Sequence, residues 1–279
     1  MNTIFEIIVA GDDLENLTAA AEACLDEIER VERLLSRFDP ASETARINRE
    51  AARGPVLIDF EMLSILQLCC DGWEKTDGHF DITAGSVAGE SGDAPPGFEA
   101  VVIDGGARIV HFAQPGVQLD FGAFGKGYAL DRARDMMNDY GVEHALLHGG
   151  TSSVVILGHG PDGAPWRVGV RDPWSPDAQE EIAQLSLSNQ ALSSSAVFGG
   201  NRDSSDIINP RRKTRLTEQA ACVVVAQSAT EAEILSTALL SMGQPAAAHY
   251  CQRVEASGFH AAWIAQSGLQ WLTSSPHEQ

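Results

Sequence analysis

The sequence predicts an α+β fold, with strands grouped along the chain and helices inserted between the groups. Two observations carry that expectation. Strand-like segments cluster at residues 100–119, 145–226 and 260–273, broken by turn residues. Other stretches carry apolar residues at three-four spacing behind a capping side chain, which is helical periodicity. No internal repeat, low-complexity tract or linker-like break divides the 279 residues. That length can bury a full core as one large domain or as two intimate lobes.

The chain opens on a strand-like segment, Thr3 to Val9. Asp12 or Asp13 then caps a long helix with Leu17, Ala21, Cys24, Leu25, Ile28, Val31 and Leu35 on one face. It stops at Ser36-Arg37-Phe38-Asp39-Pro40, and a polar loop with Ser42 leads to Arg46-Ile47-Asn48. Asp59 caps a second helix with Leu63, Leu66, Cys70 and Trp73 inward, closing at Asp77-Gly78. His79 to Gly85 alternates polar and apolar residues, and 86–98, rich in Gly, Ser, Pro and acid, reads as a mobile loop. Strands are expected at Ala100–Ile103, Arg108–Phe112 and Val117–Leu119, then at Ala145–Leu147, Val154–Leu157, Trp166–Val170, Ile182–Leu187 and Ala191–Ser195. Ile207–Pro210 is short, and Ala220–Ala226 is a buried strand. Ser228-Ala229-Thr230-Glu231 is a capping box opening a helix through Met242, with Gly243 after it; His260–Ala265 and Leu269–Thr273 form a terminal hairpin.

Between the strand groups lies Leu119-Asp120-Phe121-Gly122-Ala123-Phe124-Gly125-Lys126-Gly127-Tyr128-Ala129-Leu130-Asp131, running into a helix that ends near Tyr140 with Gly141 as its cap. Glycines at a strand-to-helix junction let a ligand touch the backbone and leave helix-start amides free, which suits a phosphate; the alternative is a tight turn before a helix. Lysines are three in the whole chain, against sixteen arginines, and Lys126 is inside this cluster. Glu233 and Thr237, four apart on the last predicted helix, project from one face and could offer oxygens to a hard cation such as Mg²⁺; otherwise they are a solvated first turn. Ser236 lies beside them.

Apolar content of 44% and charged content of 21% are those of an ordinary globular protein. A net charge of −20 argues against a nucleic-acid or anionic-membrane surface, so a phosphorylated ligand needs local donors or a metal. The five cysteines are Cys24, Cys69, Cys70, Cys222 and Cys251, an odd number without a CxxC pair. They read as thiols in a reducing compartment, with Cys24, Cys70 and Cys222 at buried positions. No apolar run approaches a membrane span, and the start shows neither signal peptide nor lipid-attachment cysteine. The expected location is cytoplasmic, or periplasmic if an export signal has been removed.

Read in order, these stretches resemble the ApbE family of FAD:protein FMN transferases. Met1-Asn2-Thr3-Ile4-Phe5 is similar to the family's opening Met-Gly-Thr strand, and Ser36-Arg37-Phe38, Ser42 and Ile47-Asn48 to its serine–aromatic loop. Gly78-His79-Phe80-Asp81-Ile82-Thr83 matches Gly-x-Phe-Asp-x-Thr. Asp120 through Asp131 resembles Asp-Leu-Gly-Gly-x-Ala-Lys-Gly-Tyr-Ala-x-Asp, and Leu235 through Gly243 the family's ending. The resemblance implies an ApbE-like, T-fold-related domain over residues 1–279, with FAD between two lobes. It implies that a threonine or serine of an acceptor flavoprotein attacks the FMN-side phosphorus and expels AMP, with Mg²⁺ as Lewis acid. With water as nucleophile FAD would be hydrolysed; a divergent member would only bind it.

Carried over by position, the resemblance puts the metal on the Gly125 carbonyl, Glu233 and Thr237. It puts FAD on Met1, Phe38, Asn48, His79, Phe80, Asp81, Gly122, Lys126, Tyr128 and the Ile208 backbone. Four departures stand out. Glu233 replaces the metal-binding aspartate, Thr151 the acid of a Gly-Gly-Asp loop, and Ser194-Ser195-Ala196 a Thr-Ser-Gly loop. The family's His-Ile-Ile-Asp-Pro-Arg-Thr-Gly runs Asp206-Ile207-Ile208-Asn209-Pro210-Arg211-Arg212-Lys213, so Asp206 stands where a candidate general base is histidine. Asp206 and Lys126 are accordingly the expected catalytic residues.

Overall fold

The apolar run at 220–226 becomes a strand with both faces covered, and the rest of the fold is arranged about it. The computed structural model describes residues 3–86, 96–175, 180–198, 207–254 and 258–276. The first part of the chain forms β1 (Phe5–Ala10), α1 (Leu14–Leu35), α2 (Glu43–Glu50), β2 (Val56–Leu57), α3 (Phe60–Lys75), β3 (Val101–Asp104), β4 (Ile109–Phe112) and α4 (Gly125–Asp139). There follow β5 (His144–Gly149), β6 (Ser153–Leu157), β7 (Trp166–Arg171), β8 (Glu181–Leu187), β9 (Ala191–Val197), β10 (Ile208–Asn209), β11 (Thr214–Arg215) and β12 (Ala220–Ala226). The chain closes with α5 (Ala229–Met242), α6 (Gln244–Val254), β13 (His260–Ala265) and β14 (Gly268–Trp271).

The α+β expectation holds. Seven strands make one antiparallel sheet in the order β1-β5-β6-β9-β12-β13-β14, with β2-β4-β3 and the β7–β8 and β10–β11 hairpins as smaller sheets. Helices cover one face of the large sheet and the β7–β8 hairpin covers the other. Along β12, Cys222, Val224 and Ala226 join a core with Leu235, Leu239 and Tyr250 of the helices. Ala221, Val223 and Val225 join Trp166, Val168 and Leu185 of the hairpin. Two-sided burial is why this strand reads as an unbroken apolar run. A third core packs α1, α3 and α4 against β5 and β6, around Ile28, Leu66, Leu130 and Leu147.

Caps fall largely where composition put them. Asp13, Asp59 and Ser228 accept from Asn16, Met62 and Glu231 amides at 3.1, 2.8 and 3.1 Å. Gly141 and Gly243 take φ of 71° and 80° at the ends of α4 and α5.

Several expectations are corrected. The loop expected around Ser42 is α2, with Ser42 capping at 2.9 Å from Ala45 N; its eight polar-rich residues carry too little apolar periodicity to show. A further helix, α6, buries Ala247, Tyr250 and Cys251 where no element was expected. Val117–Leu119 joins no sheet. In α3 it is Cys69 that is fully buried and Cys70 that is only partly so. All five cysteines are unbridged, and burial pushes the Cys24 thiol up to about 12. The 86–98 loop lies mostly outside the described residues, and among those described no helix is long and apolar enough to cross a membrane.

Candidate functional site

A cleft of about 370 Å³ opens where the 79–85 turn, the 120–126 segment, β9, β10 and α5 meet. Two helices set its floor. α5 is buried on nearly every side, so Glu233 is 2% exposed although it is ionisable. An isolated carboxylate there would carry a large desolvation penalty. Two donors compensate it: the Lys126 ammonium pairs with Oε1 and the Gly127 amide donates to Oε2. Glu233 thus caps the start of α4. In return Asp131 of α4 caps α5, accepting from Ala229 N at 2.9 Å, Thr230 N at 2.8 Å and Thr230 Oγ1 at 2.6 Å. The two helices hold each other's N-termini.

That exchange narrows the expectation of free amides at the start of α4, because several of them are taken. Gly125 N donates to Phe121 O at 2.7 Å, Tyr128 N to Phe124 O at 3.0 Å, and Gly127 N to Glu233. Gly127 serves helix packing instead of ligand access. A Cβ there would strike the Ala229 carbonyl oxygen, lie 2.7 Å from its carbon and 2.9 Å from Glu233 Oε2. Among the described residues lining the cleft, Lys126 carries the positive charge.

The expected metal pair is brought together, since Glu233 and Thr237 both line the cleft; Gly125 is buried in α4 outside the lining. A row of hydroxyls supports Thr237, formed by Ser236 and Ser195, which the sequence names, and by Ser193, which it does not single out. Ser195 Oγ lies 3.2 Å from Thr237 Oγ1 and 2.9 Å from Ser236 Oγ, which donates to Ser193 Oγ at 3.3 Å. Alternation along β9 turns Ser193 and Ser195 to α5. The run Ser193-Ser194-Ser195 inside a strand was the visible signal. Ser236 itself is fully buried in this network.

The other expected ligand residues divide. His79, Phe80, Asp81, Gly122, Lys126 and Ile208 line the cleft. The Asp81 carboxylate, however, organises its own turn, accepting from Thr83 N at 2.7 Å, Thr83 Oγ1 at 2.6 Å and Phe98 N at 3.2 Å. Burial raises its pKa, and those hydrogen bonds oppose the rise. Phe38 stands 81% exposed with the Arg37 guanidinium 4.6 Å above its ring; Arg37 also pairs with Asp120, a cleft residue, at 3.2 Å. That places an open aromatic face near the rim.

Asn48 and Tyr128 are not brought to the cleft. Asn48 bridges the Leu119 backbone, donating to its carbonyl at 3.0 Å and accepting from its amide at 2.7 Å. It does for residues 117–119 what a neighbouring strand would do. Tyr128 is two residues from Lys126, so the α-helix turns it to the opposite side. There it stacks on Phe124 at 5.5 Å and donates to Glu61 at 3.2 Å, and burial followed by the Glu61 charge pushes its pKa up. Met1 and Asp206 lie outside the described residues.

A family model described as the ApbE family matches residues 1–262 of the chain. A FAD:protein FMN transferase of Klebsiella pneumoniae (strain 342) is 27% identical over 248 residues, covering 81% of this chain and 76% of the relative. The FAD:protein FMN transferase of Escherichia coli (strain K12) is 22% identical over 280 residues, with coverage of 91% and 79%. Among solved structures, the ApbE protein of Thermotoga maritima superposes with a TM-score of 0.80 at 24% identity, covering 97% of each chain. Flavin transferase ApbE from Vibrio cholerae gives 0.77 at 21% identity, covering 99% and 94%. These structures share the fold.

Proposed function

The chain belongs to the ApbE family, and we propose that it uses FAD as donor and joins the FMN half to a threonine or serine hydroxyl of an acceptor flavoprotein, releasing AMP. One observation carries the reading. Lys126, Glu233 and Thr237 converge from two mutually capped helices on the floor of a cleft, in a chain whose relatives bear that activity's name.

The residues do separate jobs. Lys126 supplies the positive charge that a pyrophosphate needs on a chain of net charge −20. Gly122 leaves the wall open to close approach, and Phe38 offers a ring face to the flavin. The donor set suits Mg²⁺: Glu233 and Thr237 are hard oxygens one helical turn apart on the cleft wall, while the Gly125 carbonyl that the resemblance adds lies outside the lining. Among the described residues no trio of His, Cys, Asp and Glu side chains gathers at any point, so water and phosphate oxygens would complete the shell. When bound, the ion supplies Lewis-acid neutralisation of phosphate charge. Glu233 is buried and needs a cation in either state; in the described structure Lys126 fills that need.

The test is incubation with FAD and Mg²⁺, with and without a peptide carrying the acceptor threonine. The expected products are AMP and a peptide heavier by FMN. Free FMN without labelled peptide would make the protein a hydrolase, and intact FAD would refute both. Thr237→Val removes one ligand oxygen and is expected to raise the Mg²⁺ concentration needed for half-maximal turnover about tenfold or more. An unchanged requirement would reject Thr237 as ligand.

A further inference from the structure

We propose that His79 is the general base of the reaction, its Nε2 accepting the proton of the acceptor hydroxyl as that oxygen attacks phosphorus. The inference rests on the flavin-transfer reading and goes beyond it, because the resemblance puts the candidate base at Asp206.

A serine hydroxyl has one proton to give. Ser241, 2% exposed on α5, donates that proton to the His79 carbonyl at 3.0 Å. The same oxygen lies 2.9 Å from His79 Nδ1. Having no second proton to give, Ser241 can only accept there, so Nδ1 carries the ring hydrogen. The neutral ring then keeps its lone pair on Nε2, and among the described residues Nε2 has no partner. Ser241 is itself fixed, since the carbonyl of its residue accepts from Asn209 Nδ2 at 2.7 Å, tying α5 to β10 beside the cleft. This is a base held in one tautomer by a neighbour, on a residue that lines the cleft with Lys126, Glu233 and Thr237.

The electrostatics favour the neutral, accepting form at neutral pH. Burial, and then the Arg211 charge, lower the His79 pKa below 6.5; Arg212 lowers it further and Asp77 opposes. Asp81, Asp120, Lys126 and Glu233 are the other charged groups around the cleft. In the step, a bond forms between the acceptor oxygen and the FMN-side phosphorus while the bridging phosphorus–oxygen bond breaks. AMP leaves with that electron pair, and the hydroxyl proton moves to Nε2, then to solvent.

His79→Asn separates the base from the fold. The Asn Nδ2 takes roughly the place of ring Nδ1 and keeps the donor to Ser241, while the basic nitrogen is lost. With FAD, Mg²⁺ and acceptor peptide at saturation, kcat is expected to fall about 10²–10⁴-fold. The wild-type acid limb, where activity falls as pH drops through the His79 pKa, is expected to vanish in the variant. Nitrogen NMR of labelled wild-type protein is expected to show His79 with a protonated Nδ1 and a bare Nε2. Wild-type kcat and acid limb in His79→Asn, or a ring protonated at Nε2, would overturn the assignment. Loss of the acid limb in Asp206→Asn with its retention in His79→Asn would overturn it equally. No AMP from the wild-type protein would overturn the flavin-transfer reading itself, and the His79 assignment with it.

Discussion

Substituting Gly127 by alanine sets two effects of opposite sign against each other. In an exposed helix interior, alanine in place of glycine stabilises by about 1 kcal/mol, because the unfolded chain loses less freedom. Here the added methyl would meet the Ala229 carbonyl group, its carbon at 2.7 Å, and Glu233 Oε2 at 2.9 Å. Backbone atoms of a buried helix cannot swing aside as a flexible side chain can. α4 and α5 would have to separate, and overpacking of this kind costs about 1–3 kcal/mol or more. Separation also loosens the reciprocal caps, Glu233 on Gly127 and Asp131 on Ala229 and Thr230, with a cap worth about 1 kcal/mol. The net expectation is destabilisation of about 2 kcal/mol, a fall in Tm of roughly 4–8 °C. Urea unfolding with a linear extrapolation measures it, and flavin transfer measured alongside is expected to drop because the Lys126–Glu233 pair shifts. A variant more stable than wild type by the helix-propensity increment would refute close packing as the reason for this glycine.

Asn48→Ala is expected to cost about 1–3 kcal/mol, since the buried Leu119 amide and carbonyl lose their partners together; urea denaturation at wild-type midpoint would show that water replaces them. Lys213 sits at φ of 54°, in the left-handed region, at the position where the family has glycine. Lys213→Gly is expected to stabilise the β10–β11 turn by about 1 kcal/mol, raising Tm by roughly 2–4 °C. A lowered Tm would mean that its contacts, including the 3.4 Å bond to Pro96 O, outweigh the backbone strain.

Local chemistry was legible in the sequence. The caps at Asp13, Asp59 and Ser228, the glycine stops at Gly141 and Gly243, and the two-sided strand at 220–226 depend on neighbours a few residues away, and composition reports such neighbours directly. So does the pairing of Glu233 with Thr237, because helical periodicity alone puts positions four apart on one face. The short polar helix α2 escaped for the same reason, its apolar stripe being too narrow to register.

What tertiary structure decided is which partner each polar group finds. Glycines in a loop before a helix suggest an open phosphate cradle, yet Gly127 lets two helices touch and its amide belongs to Glu233. Asn48 looks like a ligand residue and instead secures Leu119, 71 residues away. Tyr128, two residues from the cleft lysine in the motif, faces away from it because a helix advances 100° per residue. His79 and Ser241 are 162 residues apart, and only their meeting fixes which ring nitrogen is free. Sequence determines what chemistry each residue carries; folding determines whether that chemistry is already satisfied or remains available to a substrate.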